Sequence, residues 1–311
     1  MSIVSEKKPR ILGFVGATAS GKTSLALEVA RHLPCEIVCM DSMQIYRRMD
    51  IGTAKPTAEE QAVAPHHMLD IVDPTDSYSV AEYTESAHKV IQEILSRGNI
   101  PVLVGGTGLY LQGLTLPMNY GGLPSDPEIR QQLTDELTLI GVQKMHDRLL
   151  AIDPETANRL HPNDTRRVIR ALEIFMLTGI PMSQHKTPTD ADSPYHFSLY
   201  AIDWPRHELH QRINLRVDLM MQAGLLDEVE TLLQSGVPAD AQSMQGLGYK
   251  ELLPVISNKN ALNTAVEQIK TGTRNYARRQ LIWFRRDKRI EWIDKDALNG
   301  AAKHIITAWK E

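Results

Sequence analysis

The chain of 311 residues is 42% hydrophobic and 23% charged, the balance of a soluble globular protein with one large domain or a core carrying an insertion. Lys and Arg number 34 against 38 Asp and Glu, a formal charge of -4, so any nucleic acid must be held by a local basic patch and not by overall charge. No apolar run reaches the roughly 18 residues of a membrane span, the N-terminal MSIVSEKKPR lacks the apolar core of a signal sequence, and two cysteines make neither a disulfide framework nor a zinc site.

A cytoplasmic protein with buried, reduced Cys35 and Cys39 is therefore expected. In chain order, the apolar run Ile11–Gly16 reads as a buried strand and KTSLALEVARHL, Lys22–Leu33, as the helix that follows it. Runs at Glu36–Met40, Pro101–Gly105, Phe197–Ile202 and Arg289–Ile293 predict four more strands, and a helix over Val80–Arg97 leads into the third. Strands alternating with helices predict a parallel α/β sheet covered on both faces. From about Leu123 to Pro194 the pattern changes. Helices are predicted over Asp126–Ile140, Val142–Ala151 and Thr165–Thr178, punctuated by Asp126-Pro127, Asp153-Pro154 and Gly179, with no strand among them. This predicts an α/β core of residues 1–122 and 195–311 and an all-helical insertion at 123–194. Helical patterns resume over Arg206–Gln234 and Ala261–Arg286.

Between the first strand and helix lies GATASGKT (Gly16, Ala17, Thr18, Ala19, Ser20, Gly21, Lys22, Thr23), a match to G-x-x-x-x-G-K-[ST] in the right context. Such a P-loop turns backbone N–H groups inward, adds the positive potential of a helix N-terminus, and supplies Lys22 as a cation and Thr23 as a Mg2+ ligand. The pattern alone suggests a kinase or ATPase. Ligands of open α/β sheets sit at the carboxyl ends of the strands. There the second strand offers Asp41-Ser42-Met43-Gln44, the third Gly105-Gly106-Thr107-Gly108 and the fourth Asp203. VLVGGTG lacks the acid with which an ATPase ends an apolar strand to hold Mg2+. Asp41 could do that job, but little would remain to activate water, which weakens the ATPase reading. A small-molecule kinase, with Asp41 as base for a substrate hydroxyl, stays open.

Several motifs then converge. GATASGKT, DSMQIYRRMDIGTAKP (41–56), PHHMLDIVDP (65–74), LVGGTGLY (103–110), HPNDTRRVIRALE (161–173) and GLGYKE (246–251) occur in this order. Over nearly the whole chain they resemble the tRNA dimethylallyltransferases, isopentenyltransferases that modify adenosine 37 beside the anticodon. The resemblance implies a P-loop core with a helical insertion, dimethylallyl diphosphate as donor, tRNA as acceptor and Mg2+ as cofactor. On this reading Lys22 and the loop hold a diphosphate leaving group while a carbon–oxygen bond breaks, and no phosphoryl group moves. The exocyclic amine of adenine is a poor nucleophile, so a carboxylate that takes its proton helps. Asp41 is our choice for that base, with Thr107 a hydrogen-bonding partner of the reacting amine or donor oxygen. By spacing alone Arg212 and Arg216 form a solvated helix face; the resemblance implies that Arg216 contacts the diphosphate, with Arg212 a weaker candidate.

Two basic segments suit the RNA. Arg166, Arg167 and Arg170 stand near a helix start, where cations oppose the macrodipole, so local stability does not explain them. Lys270–Arg289 carries eight Lys or Arg against one acid, Asp287, with Tyr276, Trp283 and Phe284 interleaved. On a helix Arg274, Arg278 and Arg285 share a face, with Arg279 beside Arg278, while Ile269, Tyr276, Leu281 and Phe284 pack inward. An amphipathic helix with a solvated basic side is the plain reading of this segment; the resemblance favours RNA backbone contact. Base 37 must be extruded to meet a buried donor. The resemblance carries over Asp41, Ser42, Met43, Gln44 and Thr107 as tRNA contacts, and Gln44 has an amide able to read an adenine edge. Arg130 and the turn of Gln245, Gly246, Gly248, Tyr249 and Lys250 are carried over likewise. The cysteines of the zinc finger found in some family members are missing, and adjacent His66 and His67 read as structural. Nothing demands a dimer, and a monomer is expected. A P-loop kinase lacks need of the basic segments, and a non-catalytic RNA binder lacks need of Asp41 with Thr107.

Overall fold

The computed structural model describes residues 8–115, 123–185 and 193–311; residues 1–7 of the polar N-terminus and the expected boundary at residue 122 lie outside them. The chain divides into two compact units, residues 1–118 with 193–311, and residues 119–192.

Among the described residues the first unit holds six strands, β1 (Arg10–Val15), β2 (Cys35–Cys39), β3 (His66–His67), β4 (Ile100–Gly105), β5 (His196–Asp203) and β6 (Ile290–Asp294). They form one parallel sheet in the order β3-β2-β4-β1-β5-β6. Five are the predicted strands, each within one residue at either end. The sixth, β3, escapes prediction because two residues carry no periodicity; its place is decided by pairing His66 with Ile37 and His67 with Val38.

The sheet is apolar on both faces, as parallel sheets are. Alternation along β1 sends Ile11 and Val15 to a cluster with Tyr83 and Ile91 of α3 (Val80–Ser96) and Leu111 of α4 (Gly108–Thr115). Leu12 and Phe14 go to the other face, against Leu25 and Val29 of α1 (Lys22–Ala30) and Ile305 of the C-terminal helix Leu298–Lys310. A short helix, α2 (Ala58–Gln61), follows α1 in the chain and begins with a capping box of Thr57 and Glu60.

The second unit contains α5 (Pro127–Ile152), α6 (Pro154–Arg159) and α7 (Thr165–Thr178). Asp126 caps α5 by accepting from the Glu128 and Ile129 N–H groups, and Gly179, at φ 70°, closes α7. As predicted, two helices flank Gly141: the stretch labelled α5 is broken by a kink there, where Gly141 takes the non-helical φ of 81°. Their core joins Leu133, Met145 and Leu149 to Val168 and Leu172.

After β5 the predicted helix Arg206–Gln234 is two, α8 (Arg206–Gln222) and α9 (Leu225–Gln234), because Gly224 adopts φ 97° between them. Then come α10 (Tyr249–Ser257), α11 (Leu262–Phe284) and α12 (Leu298–Lys310). From this group Val217, Val229, Leu252 and Ile269 pack on Ile45, Tyr46 and Met49, so the segment after β2 is anchored by helices remote in sequence.

Glu36 of β2 is 4% exposed and accepts from Arg97 (2.8 and 3.0 Å), Asn99 (2.8 Å) and His67 (2.6 Å). These partners, Arg97 foremost, outweigh burial and hold its carboxyl down to about 2. Its folded pKa is thus below the unfolded value of 4.5, so its contribution is complete above 4.5 and lost as pH falls from there through 2. We expect Glu36→Gln to cost on the order of 3 kcal/mol at pH 7 and to flatten the loss of stability between pH 4.5 and 2, as read by urea unfolding across that range. An unchanged acid limb would contradict this account.

Candidate active site

In the first unit, the carboxyl ends of β1, β2 and β4 open on one cleft of about 1190 Å³. The loop from Gly16 (φ 128°) to Gly21 (φ 93°) forms one wall and passes directly into α1. Ala19 sits at φ 61°, a conformation that costs a non-glycine residue about 1 kcal/mol or more and must be imposed from outside. Three side chains impose it. The Trp204 indole N–H donates to the Ser20 carbonyl (2.8 Å), and the Arg212 Nε, its guanidinium stacked on the Trp204 ring, donates to the Ala19 carbonyl (2.8 Å). Gln280 of α11 accepts from the Thr18 N–H (2.9 Å) and donates to the Gly106 carbonyl (2.8 Å). Not every N–H of the loop therefore points inward: that of Thr18 is spent on Gln280. Arg212 acts on the loop's backbone, which the helix-face reading did not foresee.

Lys22 and Arg216 both line the cleft. Lys22 donates to the Ala17 carbonyl (3.2 Å). Burial, and next the charge of Arg216, push its ammonium down to about 8, with Asp41 pulling the other way. Burial likewise lowers Arg216, opposed by Asp41 and Glu60. Two desolvated cations that repel each other beside a phosphate-type loop are the electrostatic signature of an anion site. Thr23 also lines the cleft.

Facing them, Asp41 accepts the Met43 N–H on one carboxylate oxygen (2.9 Å). Thr107 donates its N–H to the Met40 carbonyl (3.2 Å) and accepts the Ser42 N–H on its hydroxyl (3.1 Å). This places the ends of β2 and β4 in register, and glycine makes it possible. A Cβ on Gly105 would stand 2.0 Å from the Met40 carbonyl oxygen, and one on Gly106 2.2 Å from Gln280. Tyr276, taken from sequence to pack inward, instead lines the cleft. Burial and the charge of Asp41 push its phenol well up, and hydrogen bonding with Thr107 and Gln280 only partly offsets them, so it is a neutral donor at physiological pH. Gln280 and Tyr276 are the site residues that sequence reading missed. Their signal was the four-residue spacing that puts both on one face of a helix already singled out as basic.

The remaining expected contacts divide. Ser42, Met43, Gln245, Gly246, Gly248, Lys250 and Arg279 line the cleft. Gln44 lines it too, but its amide donates to the Thr53 and Ala54 carbonyls (both 3.0 Å) and accepts from the Cys39 thiol (3.1 Å). It holds a turn and has no edge left to read a base. Tyr249 is 0% exposed and donates to Glu228 (2.6 Å), which also accepts the N–H groups of Asp50, Ile51 and Gly52, so Tyr249 is an anchor and not a surface contact. In α11 Arg278 and Arg279 are exposed, while Arg274 donates to Asn214 (2.6 Å) and Arg285 to Asp203 (2.8 Å). In the second unit Arg130 and Arg170 converge on Glu173, whose side chain is fully buried (3.0 and 2.8 Å). Their presence near helix starts is explained by that carboxylate, which would be costly to bury unpaired. Arg166 and Arg167 are exposed there, Arg167 beside Asp164 (3.2 Å).

Residues 44–287 match the IPP transferase family and residues 9–72 the isopentenyl transferase family. The tRNA dimethylallyltransferase 1 of Trichlorobacter lovleyi is 47% identical over 302 residues, 97% of this chain and 98% of that one. The chain belongs to the tRNA dimethylallyltransferase family. The solved tRNA isopentenylpyrophosphate transferase of Bacillus halodurans is 41% identical with a TM-score of 0.71, covering 97% of this chain and 96% of that one. A eukaryotic dimethylallyltransferase acting on tRNA gives a TM-score of 0.79 at 28% identity, covering 96% and 78%. The chain is therefore a prenyltransferase by family, and the kinase reading falls.

Gln280 joins two loops of that site through buried backbone groups. We expect Gln280→Leu, which leaves the Thr18 N–H and Gly106 carbonyl without it, to lower the unfolding free energy by about 2–4 kcal/mol in a urea titration. An unchanged midpoint would mean that Gln280 does not brace the loop.

Proposed function

We propose that this enzyme transfers the dimethylallyl group of dimethylallyl diphosphate to N6 of adenosine 37 in tRNA, releasing diphosphate. The observation that carries this reading is the half-buried, mutually repelling pair Lys22 and Arg216, which line one cleft with Asp41, itself next in the chain to Ser42, whose N–H Thr107 accepts. The cation pair suits a diphosphate, and the carboxylate and hydroxyl suit an amine that must lose a proton.

The steps follow from these groups. The C–O bond of the donor breaks, and negative charge grows on the diphosphate. Lys22, Arg216 and the inward loop amides stabilise that charge more in the transition state than in the ground state. The adenine nitrogen forms the new C–N bond, and Asp41 accepts its proton. Thr107, with its hydroxyl already oriented by the Ser42 N–H, positions the amine. Tyr276, neutral beside it, donates a hydrogen bond.

Mg2+ is compatible with this site. Thr23 and Asp41 supply oxygen ligands to the cleft, and among the described residues no group of three or more His, Cys, Asp or Glu could hold a metal ion by itself. Mg2+ keeps several waters and binds through few protein oxygens plus phosphate, so Thr23 would hold it together with the diphosphate. When bound it supplies further neutralisation of the leaving group. Arg278, Arg279, Arg166 and Arg167, all exposed, are the cations proposed for the RNA backbone. Among the described residues no helix is long and apolar enough to cross a membrane. We place the enzyme in the cytoplasm, as a monomer, since one chain supplies every group named.

The reading is tested by incubating the protein with unmodified tRNA and dimethylallyl diphosphate and analysing the nucleosides by mass. Isopentenyladenosine is expected; ATP turnover without it would overturn the proposal. In the same assay Asp41→Asn should lower kcat by about 10²–10⁴-fold while tRNA affinity stays within a few fold. Equal loss of both would make Asp41 structural.

Lys22 adds a pH dependence. In the free enzyme its pKa is depressed to about 8, and only the protonated form attracts the donor. Affinity should therefore be full below pH 8 and fall roughly tenfold per pH unit as pH rises above 8, where the donor phosphates are already ionised. Lys22→Met should bind weakly with no such slope. A wild-type affinity that stays flat to pH 9.5 would refute the assignment.

A further inference from the structure

One part of the basic segment is not used by the chemistry. Trp283 is 40% exposed, an uncommon state for the largest apolar side chain, and Leu109, the residue after Gly108, is 50% exposed. Trp283 is nonetheless not loose. Its ring lies so close over Gly108 that a Cβ there would stand 2.3–2.7 Å from three ring atoms. The indole is thus packed on bare backbone, one residue beyond Thr107, while part of it remains open to solvent.

Its helix also supplies residues of the cleft. Tyr276, Gln280 and Trp283 recur at spacings of four and three along α11, so they share a face. Tyr276 lies within the cleft and Trp283 seven residues on, about 10 Å along the axis, or about three base-stacking distances. Arg279, four residues before Trp283, and Arg286, three after, are both exposed on that side. Arg279 also stands 5.7 Å over the Tyr276 ring. A rigid aromatic face bracketed by exposed guanidinium groups is what unstacked RNA requires: a surface for a base and cations for the phosphates on either side. Apolar peptide would gain nothing from the two cations.

We propose that Trp283 is a stacking platform for the RNA base adjacent to the extruded adenosine. The inference rests on the proposed acceptor. Extruding one base leaves a bare face on its neighbour and costs a few kcal/mol of stacking. Trp283, on the helix that brings Tyr276 into the cleft, covers that bare face and so favours the extruded arrangement.

The test measures binding of an anticodon stem-loop RNA to the wild type, Trp283→Ala and Trp283→Phe over a salt series. Trp283→Ala should weaken binding about 10- to 100-fold and Trp283→Phe only a few fold, with the salt slope unchanged in both, since no phosphate contact is removed. An RNA with an abasic nucleotide on one side of adenosine 37 should abolish the difference between wild type and Trp283→Ala. A control with the abasic nucleotide on the other side should retain it. Affinity of Trp283→Ala for dimethylallyl diphosphate should match the wild type, which shows the cleft to be folded. Wild-type binding by Trp283→Ala, a reduced salt slope, or a penalty that survives abasic substitution on both sides would overturn the platform alone. A wild type that does not bind the stem-loop would overturn the proposed acceptor with it.

Discussion

The site depends on a close approach that only glycine allows. The ends of β2 and β4 come together so tightly at Gly105 that a single methyl would strike the Met40 carbonyl at 2.0 Å. Because they meet, the Thr107 hydroxyl reaches the Ser42 N–H, one residue beyond the Asp41 of the cleft. Because Gly106 is equally bare, Gln280 can reach from α11 to its carbonyl and to the Thr18 N–H at once. One contact between strand ends thus sets the proposed base, its neighbour and the phosphate loop in a common frame. The strained Ala19 persists in that frame because Arg212 and Trp204 hold its flanks.

Charge is handled in opposite ways in the two units. In the second, Arg130 and Arg170 surround Glu173, and the protein itself supplies the buried anion. In the first, Lys22 and Arg216 are half-buried and desolvated, with Asp41 and Glu60 acting on them only through charge, and Lys22 is driven down to about 8. An arginine answered by a buried carboxylate stabilises a fold. A lysine and arginine left repelling one another, beside a loop of oriented amides, favour a ligand anion instead. This difference cannot be read from residue type: Arg130 and Arg170, singled out for RNA, each pair with the buried Glu173 while keeping part of the side chain at the surface.

Much of the architecture was legible in local pattern. Parallel strands buried on both faces read as continuous apolar runs, so five strands emerged within a residue of their observed ends. Asp126, Asp153 and Gly179 announced helix boundaries by chemistry that needs no tertiary partner. The two-residue strand β3 did not emerge, since its pairing with β2 has no local counterpart. The break at Gly224 was passed over because glycine inside a helical pattern is ambiguous until its φ is seen. At the site, GATASGKT, Asp41 and Thr107 stood at strand ends and could be found from topology alone. Tyr276 and Gln280 could not, because α11 lies far along the chain and its rotation about its axis is settled by packing.

The sequence by itself determined the α/β layers, the phosphate loop and the order of the family motifs, since these rest on spacing, propensity and local backbone chemistry. Tertiary structure decided which of the motif's polar groups are free to act. Gln44 is spent on the Thr53 and Ala54 carbonyls and Tyr249 on Glu228, whereas Tyr276 is turned into the cleft and Arg279 to its rim. The physical reason is that a buried polar group must find a partner. Whether that partner is another part of the chain or a ligand depends on what the fold brings within about 3 Å, a distance that sequence separation does not encode.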